Sequence, residues 1–95
     1  MFYVKIHKSE SGNIVAVCDE DLLGKTFSSD GLKINVSEYF FKDMKKDKDF
    51  VSNVLNSCYS ANLVGKNAID LATELRIISQ ENIILVEGVP YAVVF

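Results

Sequence analysis

One arginine, one histidine, one proline and two cysteines are all that this chain of 95 residues holds of those types. Each scarcity closes off a class of function. Arg76 stands alone against nine lysines, and bidentate recognition of phosphate or guanine favours arginine. A zinc site takes about four ligands. His7, Cys18 and Cys58, without a Cys-x-x-Cys spacing, do not supply them. Two cysteines are also too few for the disulfide framework of a small secreted domain, so both read as buried small hydrophobes. Apolar runs are short: Ile83–Val86 ends at Glu87, whereas a membrane-spanning helix needs about 20 residues. Lys5, His7 and Lys8 interrupt the apolar stretch that a secretory signal would require. The expectation is a cytoplasmic protein with no membrane segment, no metal and no cofactor.

The residues present are those of one soluble globular domain over 1–95. Apolar residues make up 48%, charged residues 24%, and the formal net charge is −3. A chain of this length buries about 60–65% of its unfolded surface, which is one modest core. That leaves little room for a second domain or a multi-substrate cleft, and argues against most large enzyme classes. The acidic balance argues against a general nucleic-acid coat. Lys42, Lys45, Lys46 and Lys48 nevertheless fall close together, interleaved with Asp43 and Asp47. The ordinary reading is a solvated connection; the functional one is a phosphate-binding patch.

Periodicity places the elements. Residues 2–8 alternate, with Phe2, Val4 and Ile6 on one face and Tyr3, Lys5 and His7 on the other, as in a half-buried strand. Ile14–Cys18 is apolar on both faces and reads as an inner strand, joined to the first through Ser9–Asn13 as an antiparallel hairpin. Asp19-Glu20-Asp21 opens a short helical turn that Gly24 ends. Leu32–Val36 is a third strand. Tyr39, Phe40 and Phe41 anchor a connection rich in lysine. Phe50, Val51, Val54, Leu55, Cys58 and Tyr59 form one helical face. Asn62–Gly65 interrupts it, and a second helix follows with Ala68, Ile69, Leu71, Ala72 and Leu75 inward. Ile83–Val86 and Val89–Phe95 are two strands joined at Glu87-Gly88. Pro90 puts the last strand at an edge or a bulge. The fold class is α+β, a single layer of mostly antiparallel sheet with about five strands and two helices on one face.

Several constellations carry chemistry only on paper. Gly24-Lys25-Thr26 looks like the end of a phosphate-binding loop, but position 19 is Asp where that motif needs Gly. Leu22-Leu23-Gly24-Lys25 echoes Leu63-Val64-Gly65-Lys66. Two such Gly–Lys corners could cradle an anion with backbone N–H groups and ammonium groups; structurally, glycine ends a turn and lysine goes to water. His7 and Cys18 suggest a base and a nucleophile. A hairpin centred near Ser11 puts Cys18 opposite Val4 or Lys5 and His7 opposite Val15 or Ala16, leaving the pair about 10 Å apart. The trio Asp19, Glu20 and Asp21 could hold a divalent ion, though three adjacent carboxylates at a helix start are more commonly caps and solvated charge. Asn62 either caps the second helix or reads a ligand.

Three segments together resemble a known family. They are Val17–Phe27 (VCDEDLLGKTF), Ala61–Gly65 (ANLVG) and Gly88-Val89-Pro90. The resemblance is to small conserved archaeal proteins grouped as the domain of unknown function numbered 424, and it spans nearly the whole chain. It implies a cytoplasmic α+β single domain and brings no established activity, so no catalytic residue is carried over. The family's pattern has His after Gly-Val-Pro; Tyr91 takes that place here, and no acid–base role is transferred to it.

The leading expectation is therefore a non-catalytic binding module whose partner is RNA or a protein of the translation or RNA-processing machinery. Candidate contacts are Asp19, Gly24, Lys25, Asn62, Gly65, Lys66 and Tyr91. If Lys42–Lys48 binds RNA, affinity should fall steeply with salt. The alternative is a protein-interaction or homodimerisation domain that pairs through an uncharged C-terminal edge, Tyr91–Phe95, so that the protein is a monomer or a homodimer. A small enzyme comes third. Either the N-terminal strand or a second molecule is expected to cover Val89–Phe95.

Overall fold

The structure, a computed structural model, describes all residues, Met1–Phe95. Strands β1 (Phe2–Ser9) and β2 (Gly12–Asp19) form the expected hairpin. Its register is Phe2↔Asp19 through Ser9↔Gly12. The loop is therefore the pair Glu10-Ser11, tighter than the sequence suggested, and Cys18 lies opposite Tyr3 while His7 lies opposite Ile14. A single 3-10 turn, Glu20–Leu22, follows. Next come β3 (Thr26–Ser29) and β4 (Leu32–Asn35), a separate two-stranded sheet. Helix α1 (Glu38–Phe41) is one turn long, capped by the Ser37 hydroxyl, which accepts from the Phe40 N–H at 3.2 Å. Strand β5 (Met44–Lys46) leads into α2 (Lys48–Ser57), which the Asp47 carboxylate caps by accepting from Phe50 N–H at 3.0 Å. Then follow β6 (Ser60–Val64), α3 (Lys66–Glu74), β7 (Ile84–Val86) and β8 (Val89–Val94).

The main sheet has six strands in the order β5-β1-β2-β6-β8-β7. Every pairing is antiparallel except β2 with β6. The α+β class and mostly antiparallel sheet thus stand, with eight strands and three helices rather than five and two. The largest departure is β6. Asn62–Gly65 reads as a break between helices, yet Ser60–Val64 is a central strand hydrogen-bonded on both sides. A strand buried on both faces has no apolar–polar alternation to betray it. β3 and β5 carry no strand signal in the sequence because each is short and mixed in polarity.

Each face of the sheet is covered. Val51 and Leu55 of α2 and Ala68, Ile69, Leu71 and Ala72 of α3 pack on Val4, Val15, Val17, Ala61, Leu63 and Ala92. Each large side chain fully buried there contributes about 1.5–3 kcal/mol. On the other face, Ile34, Val36 and Phe41 from the small hairpin and α1 pack on Ala16, Cys18, Val64 and Val86. Alternation along each strand sends neighbouring residues to opposite layers.

The C-terminal strand is interior in the sheet order, although β7 flanks only its first half. Tyr91–Val94 pairs with Ala61–Val64 on one side, and Val89–Tyr91 pairs with Ile84–Val86 on the other. Its cover is β6 of the same chain, not the N-terminal strand. The edges are β5 and β7. Between β7 and β8, Glu87 and Gly88 both take positive φ, +52° and +78°, the backbone of the tight hairpin turn that matches strand twist. No helix is long and apolar enough to cross a membrane.

Candidate functional site

The parallel pairing of β2 with β6 sets Asp19, at the end of β2, beside the start of α3. Its carboxylate accepts from Asn67 N–H at 2.9 Å and Ala68 N–H at 2.8 Å. A helix N-terminus with free N–H groups and a positive dipole is a natural anion site, and here the chain's own buried carboxylate fills it. Gly65 makes this possible. Its φ is +111°, and a side chain there would overlap the Asp19 carboxyl group. Burial pushes the Asp19 pKa up, the two N–H bonds pull it down, and Asp21 and Asp70 add to the rise. The Lys66 ammonium donates to Asp70 at 2.9 Å. Asp19 and Gly65 are thus brought together as a structural cap, with the exposed Lys66 next in the chain paired to Asp70.

The two Gly–Lys corners do not form a backbone cradle. Gly24 N–H donates to Val36 O, Lys25 N–H to Leu22 O, and Gly65 N–H to Pro90 O. Gly24 and Lys25 lie exposed between the 3-10 turn and β3. The acidic trio is also dispersed: Asp19 turns inward, Glu20 pairs with Lys45, and Asp21 is exposed. No group of three or more His, Cys, Asp or Glu converges as metal ligands.

The lysine-rich stretch is largely neutralised. Lys42 pairs with Glu38 at 3.3 Å, Lys45 with Glu20, and Lys48 with Glu74 at 3.1 Å. Lys46 lies over the Phe50 ring, 4.8 Å from its centre. His7 and Cys18 do not meet. His7 Nε2 donates to the Phe40 carbonyl at 2.9 Å and its ring stacks on Phe40 at 4.6 Å. Cys18 is buried, and burial, with Asp19 beside it, pushes the thiol up to about 12.

Two candidates do come together at a cleft. Asn62 on β6 and Tyr91 on β8 line a hollow of about 200 Å³ with Lys33, Ile34, Asn35, Phe40 and Phe41. It lies on the sheet's second face, between β4 and α1 on one side and β6 and β8 on the other. Asn62 is half-buried within the otherwise buried strand Ser60–Val64. Its amide makes no side-chain hydrogen bond, and no side-chain polar atom is both fully buried and unsatisfied. Its donor and acceptor therefore face solvent in the cleft. Burial raises the Tyr91 phenol pKa. Lys33, Asn35 and Phe40 complete the wall and were not singled out as contacts from the sequence. The strand Leu32–Val36 is legible in the sequence, but not that the small hairpin folds back over the sheet. A larger hollow, about 330 Å³, is lined by Asp47, Asp70 and Glu74 around Lys48; that lining repels phosphate.

Comparison with known proteins agrees with this architecture. The family described as "Protein of unknown function (DUF424)" matches residues 6–95. The chain belongs to that family. A crystal structure of an uncharacterized conserved protein from Methanopyrus kandleri, an archaeon, has a similar fold. The TM-score is 0.78 at 23% identity, covering 97% of this chain and 88% of that one. No curated protein matches.

Proposed function

We propose that this member of the family is a cytoplasmic, non-catalytic binding module that engages single-stranded RNA, as part of the translation or RNA-processing machinery. One observation carries the reading: the Asn62 amide, held in a central strand, opens without an internal partner into a cleft with aromatic walls and a lysine at its rim. Sequence-selective RNA recognition uses unstacked bases, aromatic faces and side chains that pair with base edges. Lys33 supplies the phosphate contact. The Lys42–Lys48 stretch contributes little, because three of its four lysines are paired with carboxylates of the chain and Lys46 lies over the Phe50 ring. The test is fluorescence anisotropy of a labelled single-stranded RNA at low salt. Lys33→Glu should weaken binding, while Lys45→Ala with Lys46→Ala should leave it unchanged. No binding by the native protein overturns the reading.

A second reading has its own observation. Strand β7 is a free edge, and its Ile84 and Leu85 are 45% and 64% exposed. An unprotected apolar edge favours pairing with another strand. This version of the interaction alternative uses β7, the edge strand of the C-terminal hairpin. Sedimentation over a range of concentrations tests it; a monomer throughout rules out self-pairing.

A further inference from the structure

We infer that the Asn62 cleft holds one unstacked nucleobase. The inference rests on the RNA-binding reading and names what that site takes.

Size sets the first limit. Pockets for drug-sized ligands span about 300–1,000 Å³. This one is about 200 Å³, room for a single ring system and not for a stacked pair. The walls set the second. Phe40 and Tyr91 line the hollow, and Phe40 already stacks on His7 at 4.6 Å. A flat heterocycle beside Phe40 extends an existing stack of rings. Stacking of a base on an aromatic side chain is favourable and tolerates any base.

The floor sets the third. A primary amide presents a donor and an acceptor side by side. Nucleobase edges carry the same pair, which is why Asn and Gln read adenine through two hydrogen bonds. Asn62 is well placed for this, because β6 is fixed by β2 on one side and β8 on the other. Its neighbours Ala61, Leu63 and Val64 are fully buried and apolar, so the fold itself has no use for an amide at this position. Lys33, exposed at the rim, reaches the phosphate of a base so held.

A base can arrive on a free nucleotide or within a strand, and the experiment separates the two. The probes are adenosine monophosphate and a short oligoadenylate RNA, titrated into 15N-labelled protein at low salt. The readout is the Asn62 side-chain NH2 resonance together with the backbone signals of Lys33, Phe40 and Tyr91. The expected result is that these signals move together and that the RNA binds more tightly than the mononucleotide. Asn62→Leu, of similar size and apolar, should keep the native spectrum and lose about tenfold in affinity, the value of two neutral hydrogen bonds. RNA that binds native protein and Asn62→Leu equally well overturns the base pocket and leaves the RNA module standing. A mononucleotide that moves the cleft signals while RNA does not bind keeps the pocket and overturns the RNA reading. Absence of any shift with either probe overturns both, as does a response confined to other surfaces for the pocket alone.

Discussion

Asp19 shows how a residue that looks like ligand chemistry serves the fold. Its two N–H bonds join the end of β2 to the start of α3, residues far apart in sequence. Loss of an N-cap costs about 0.5–2 kcal/mol, and Asp19→Ala should fall near the upper end because it is buried. Gly65→Ala should cost more, since a left-handed φ and an overlap with Asp19 combine. Urea unfolding of both variants measures this. The pH dependence has a definite sign. Asp19 has a folded pKa above its ordinary value, so the native state retains the proton over a window in which the unfolded chain has lost it. Its contribution is full below the ordinary aspartate range and declines as pH rises through the raised value. Asp19→Asn, which cannot ionise, should therefore gain on the native protein as pH rises across that window. A constant difference would contradict the shift. Cys18 gives a second check at this scale. With its thiol pushed up to about 12 and no exposed surface, it should react with a thiol reagent only as fast as the native protein unfolds.

At the scale of elements, legibility followed periodicity. β1, β4 and the two long helices were readable because each has one wet face, and β2 because five apolar residues in a row do not suit a short exposed segment. β6 was missed since Ala61, Leu63 and Val64 are buried on both sides, and Asn62 looked like a cap. The helical stripe also ran on through Cys58 and Tyr59, whereas α2 stops at Ser57 and Tyr59 N–H donates to Asn13 O. Of the candidate contacts, Asn62 and Tyr91 line the same hollow, while the presence of Lys33, Asn35 and Phe40 beside them depends on tertiary folding that no local pattern encodes. The hairpin β7–β8 was legible down to its turn pair. Its edge yields a prediction. Leu85→Lys places a charge on an exposed position, so thermal stability should change by less than about 0.5 kcal/mol. Any dimer seen for the native protein should dissociate. A dimer that survives the change uses another surface.

For the whole molecule, charge decides how RNA binding must look. The net charge is −3, and Lys42, Lys45, Lys48 and Lys66 are each engaged by a carboxylate of the same chain. A strand lying across the Asn62 cleft meets Lys33 at the rim, while Lys5 is already held by the Tyr39 carbonyl at 2.7 Å and lies over that residue's ring. Only about one or two phosphates are then neutralised. For single strands the slope of log affinity against log salt is about −0.7 per phosphate contact, so raising salt from 50 to 200 mM should cost about three- to sevenfold. A lysine-patch mechanism through residues 42–48, with about four contacts, would lose closer to fiftyfold over the same range. The two are readily separated by anisotropy at four or five salt concentrations. A shallow slope that Lys33→Ala flattens by about one contact places the strand at the cleft, since removing a phosphate contact lowers the slope without changing base preference. A steep slope, unaffected by Lys33→Ala, would mean that the internal ion pairs open on binding and that the strand runs along β5 instead.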